Sequence, residues 1–122
     1  MAIKINQSLF LPQIKQYGET LVKEYEDNSV DLGRETLDVA EGWFQEQPWQ
    51  SGNREDFDTQ RECRIELKRY VLSKIKLDDA NKSWYDHSFT WSWVSNKVVT
   101  YVVKILIEHY WDDLMDEMGL GV

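Results

Sequence analysis

A chain of 122 residues fits one domain and is long enough to bury a core. Its composition, 42% hydrophobic and 13% aromatic with 30% charged, excludes a disordered chain. The net charge of −8 argues against general nucleic-acid binding or docking on an anionic membrane, both of which need a basic field, and the single cysteine excludes an internal disulfide and a Cys-based metal site.

In chain order, the start "MAIKINQSLF" lacks the long apolar core of a signal peptide, so the expected location is cytoplasmic. "SLFLPQIKQYGETLVKEYEDN" spaces Phe10, Ile14, Tyr17, Leu21 and Tyr25 along one helical face, which predicts a helix from about residue 12 to 27 with Pro12 in its first turn and Gly18 its weak point. "NSVDLG" reads as a turn, with Asp31 capping the next helix. Asp27, Ser29 and Asp31 have the odd-position spacing of a calcium loop. The sixth position is Leu32 rather than glycine, however, and an EF-hand is rejected.

The second helix, "LGRETLDVAEGWFQEQ", offers Leu37, Ala40, Trp43 and Phe44 to a core and stops before Pro48. "QPWQSGN" is a loop carrying Trp49, an aromatic that a core does not account for and hence a candidate interface anchor. Asn53 is placed to cap the third helix, "REDFDTQRECRIELKRYVLSKIK", with Cys63, Leu67, Tyr70, Val71 and Ile75 on one face. Cys63 on that face reads as a buried structural thiol. "LDDANKSWYDHSF" reads as a short helix or turn, where Asp86 beside His87 finds no nucleophile to serve.

"SFTWSWVSNKVVTYVVKILIEHYWDDLMDEM" is rich in Val and Ile, which favour sheets. Four of its charges decide otherwise. Lys97, Lys104, Glu108 and Asp112 follow one another at 7, 4 and 4 residues, a single stripe on a helix and a scatter over both faces of a strand. The expectation is a central helix over 90–117, with Ser88 or Thr90 near its cap. The same charges interrupt the apolar run and exclude a membrane span.

These readings give an all-α single-domain bundle of four to five helices around a long, largely buried C-terminal helix. An α+β arrangement with residues 97–107 as a strand is the alternative.

Function is less legible. Residues 31–62 carry −6 and residues 63–82 carry +3, so the basic segment either neutralises its own acidic neighbours or is offered to a partner. Arg64, Lys68 and Arg69 are its candidate contacts. On the last helix Glu108, His109, Asp112 and Asp113 form a candidate divalent-metal cluster, since a helical His with a carboxylate four residues on can share an ion. Adjacent Glu108 and His109 diverge, so the pattern is not that of a di-iron bundle. The MAIKI-type start, the acidic helical body and the Trp-rich "FTWSWVSNKVVTYVV" segment resemble small uncharacterised proteins of tailed marine bacteriophages. The resemblance implies a viral accessory or virion-associated role and assigns no functional residue.

The leading expectation is a non-enzymatic protein-interaction or accessory protein with another protein as its partner and no cofactor. A metal-dependent enzyme using the acidic and His cluster is one rival, and an oligomeric or membrane-surface structural protein the other.

Overall fold

The computed structural model describes residues 3–46, 60–75 and 87–117. Four α-helices account for almost all of them: α1 (Gln7–Leu21), α2 (Glu26–Glu46), α3 (Gln60–Lys74) and α4 (His87–Glu117), with a single 3₁₀ turn, Lys23–Tyr25, between α1 and α2. The chain is an all-α four-helix bundle, and among the described residues there is no strand.

Residues 3–6 form an extended strap ahead of α1. Ile3 and Ile5 are buried while Lys4 and Asn6 are exposed, the alternation of an extended chain. The Ile5 N–H donates to Glu41 Oε2 of α2 (2.8 Å), and the Asn6 N–H donates to the Tyr110 hydroxyl of α4 (3.1 Å). Asn6 then takes the N-cap position of α1, and its Oδ1 accepts from the Ser8 hydroxyl.

The boundaries of the first two helices differ from the sequence reading. α1 starts earlier, which puts Pro12 inside the helix and not in its first turn. It ends at Leu21, where Val22 is extended (φ −149°, ψ 111°). The segment expected to turn, 28–33, is continuous α2, and Asp31 caps nothing: it sits inside the helix and pairs with Arg34 one turn on.

Close packing explains the shift. A Cβ on Gly18 would fall 2.4 Å from Ser29 Cβ, and one on Gly33 would fall 2.7 Å from Ile14 Cγ2. Both pairs are equidistant from residues 23 and 24. The two helices therefore fold back on each other at Val22–Tyr25, and the glycines serve close approach rather than a turn. Phe10 and Ile14 of α1 and Leu32, Leu37, Ala40, Trp43 and Phe44 of α2 point into the core.

α3 buries Cys63, Leu67 and Val71, one residue per turn, with Ile75 just past its end. α4 has 31 residues, a length of about 46 Å, and packs against α1, α2 and α3 alike. Its buried positions, Trp91, Val94, Val98, Val99, Val102, Val103, Leu106, Ile107, Tyr110 and Leu114, recur at three and four residues. Residues 97–107 lie wholly inside this helix, which overturns the strand alternative. Burial of so many β-branched side chains outweighs a propensity cost of a few tenths of a kcal/mol each. The helix already begins at His87, so Ser88 and Thr90 are helical residues and not caps. Tyr17 of α1 stacks on Tyr101 of α4, with ring centroids 4.1 Å apart and planes nearly parallel. No helix is long and apolar enough to cross a membrane, among the described residues.

Candidate functional site, a cation-rimmed groove between α3 and α4

Arg61, Arg64, Ile65 and Lys68 follow the helical spacing that keeps four residues on one side of α3, next to the buried Cys63–Leu67–Val71 stripe. They face Thr100, Val103 and Lys104 of α4 across a groove of about 280 Å³. Lys68 Nζ donates to Asn96 Oδ1 at 3.3 Å, which sets the register. With Lys68 level with Asn96 and the Arg61–Ile65 turn beside Thr100–Lys104, the two helices run antiparallel. Continuing one turn past Lys68 brings Leu72 level with Trp93.

Two properties distinguish this face. It carries three of the four large hydrophobic side chains most exposed among the described residues: Ile65 (44%), Leu72 (38%) and Trp93 (47%). It also carries cations that lack counter-ions. Among the described residues none of Arg61, Arg64, Lys68 and Lys104 has a carboxylate within ion-pair distance. Four positive charges without counter-ions among the described residues, around an apolar floor on a chain of net charge −8, make a local field of the sign opposite to the molecule's own. Lys97 adds a fifth, its Nζ lying 6.0 Å from the centre of the exposed Trp93 ring.

The candidates from sequence divide. Arg64 and Lys68 line the groove; Arg69 does not, because one residue past Lys68 is about 100° around the helix. Arg69 Nη1 is held instead by Glu66 Oε1 at 2.6 Å. Arg61, the first residue of the basic stretch 61–76, and Lys104, which the sequence places on the α4 stripe, also belong to the site. Trp49 lies outside the described residues.

At the far end of α4, Glu108, His109, Asp112 and Asp113 are all exposed. The His109 ring meets Phe10 edge-on at 5.3 Å and Tyr110 at 4.7 Å, so it packs as an aromatic side chain. Among the described residues no three of His, Cys, Asp and Glu come together as metal ligands. Cys63 is fully buried, and burial, followed by the charge of Glu66, pushes its thiol up from 9.0 to about 12. It is neutral at physiological pH and has no access to a substrate.

Comparison with protein-family models, with curated proteins and with solved structures finds no match for this chain.

Proposed function

We propose that the protein is a non-enzymatic accessory protein that acts by binding another protein through the α3/α4 groove. The observation that carries this reading is the groove itself, whose apolar floor is ringed by Arg61, Arg64, Lys68 and Lys104 without counter-ions among the described residues. Unpaired surface cations are common and individually weak. Four of them around Ile65, with Trp93 and Leu72 in line, give the apolar centre and polar rim of a protein-recognition patch. A nucleic-acid backbone would meet the same cations, but also the repulsion of a body of net charge −8. A viral accessory role, implied by the resemblance of the sequence to small phage proteins, is compatible with such a binder.

The test compares wild-type protein with the triple variant Arg61→Glu, Arg64→Glu, Lys68→Glu as bait in nuclease-treated lysate to which the untagged chain has been added. One protein retained stoichiometrically by wild type and lost by the variant supports the reading. Equal capture by both, or a signal that vanishes with nuclease, counts against it. Trp49→Ala in the same assay reports whether that side chain adds to the contact.

A further inference from the structure

From the charge order along α4 we infer that the protein surface received by the α3/α4 face is that of a second copy of this chain, in an antiparallel two-fold dimer. The inference rests on the reading of that face as a protein-binding surface and names its partner. Lys97, Lys104, Glu108 and Asp112 occupy one exposed stripe of α4, so the stripe is positive in its first half and negative in its second. Among the described residues neither half is neutralised, since none of these four side chains makes an ion pair there. A surface whose sign reverses at its midpoint is complementary to itself when turned around, and that is the geometry of an isologous two-fold contact.

The register is fixed by counting along the helix. A two-fold axis level with Leu106 sets Lys104 opposite Glu108 of the second copy, and Glu108 opposite its Lys104. The same axis sets Asp112 of the second copy level with Thr100, a residue of the groove. Arg64 flanks Thr100 from α3, because Lys68 is level with Asn96 and the helices are antiparallel. Trp111, half-buried and between Glu108 and Asp112 in sequence, then lies over the groove edge formed by Thr100 and Ile65. An aromatic flanked by two carboxylates thus meets an apolar groove flanked by cations. Each half is used twice, which is how short charge pairs that are weak singly come to fix one orientation.

The test is the mass of the protein in solution, by sedimentation or light scattering at about 100 μM, a concentration that populates a dimer of micromolar dissociation constant. The wild-type chain is expected at twice its monomer mass. Lys104→Glu and Glu108→Lys should each weaken association roughly tenfold or more, because each sets like charges together at both ends of the axis. An equimolar mixture of the two variants should regain the dimer, since every opposed pair is then of opposite sign. A monomeric wild-type chain overturns the inference, as does a mixture no more associated than its components. A monomer that still captures a lysate protein, and loses it on charge reversal at Arg61, Arg64 and Lys68, overturns the dimer while leaving the proposed function standing.

Discussion

At the scale of single residues, Gly18 has the least room of the described glycines. Alanine there gains close to 1 kcal/mol of helix propensity but drives a methyl into Ser29, and overpacking of this kind costs about 1–3 kcal/mol. Gly18→Ala is therefore expected to lower the urea midpoint, and adding Ser29→Gly should recover part of the loss; independent, additive effects would contradict the packing described. Cys63 supplies a prediction in pH. Its thiol ionises near 9.0 when free and near 12 in the folded protein, so the folded state holds the proton more tightly. The stability this represents is complete below pH 9 and is lost as pH rises toward 12. Urea titrations of wild type and Cys63→Ala across that window should show wild type losing stability faster with pH than the variant, and parallel curves would mean the thiol is not so buried. Both residues illustrate what sequence can say. Cys63 on an apolar helical stripe was readable as a core thiol, whereas Gly18 and Gly33 look like weak points or turn signals until their partners, Ser29 and Ile14, are known.

Among the elements, α4 was the most legible, because four charges at spacings of 7, 4 and 4 specify a helix whatever the β-branched content between them. Its boundaries follow the expected range closely. The α1–α2 corner was not legible: Asp31 and Gly33 carry turn chemistry and lie in a helix, while the real break falls at Val22, a residue with no turn preference. The break is set by which positions allow two helices to approach, a property of pairs distant in sequence. The site divides the same way. Arg61, Arg64 and Lys68 share one side of α3 by spacing alone; Lys104 joins them only through the register of α3 on α4, and Arg69, adjacent to Lys68 in sequence, faces elsewhere. Truncation of α4 separates its two faces. Leu106→Ala, at a fully buried position, should cost about 2–5 kcal/mol, and Lys97→Ala less than about 0.5 kcal/mol, both read from denaturant midpoints at constant slope. Similar losses at both positions would contradict the burial pattern.

For the molecule as a whole, the governing relation is that one helix supports the other three. The basic groove between α3 and α4 follows from it, since α4 presents Lys104 beside α3 and its carboxylates beyond α3's start. The order of packing also bears on synthesis. α1 and α2 form a local hairpin that can close as soon as residue 46 has left the ribosome, but the side of that hairpin that packs on α4 stays uncovered until α4 emerges. The nascent chain thus passes through a stage in which its apolar side is complete and uncovered, a state prone to capture by chaperones or by other nascent chains. Slow decoding between residues 47 and 86 would prolong that exposure, so the yield of folded protein should fall when rare codons are placed in that interval.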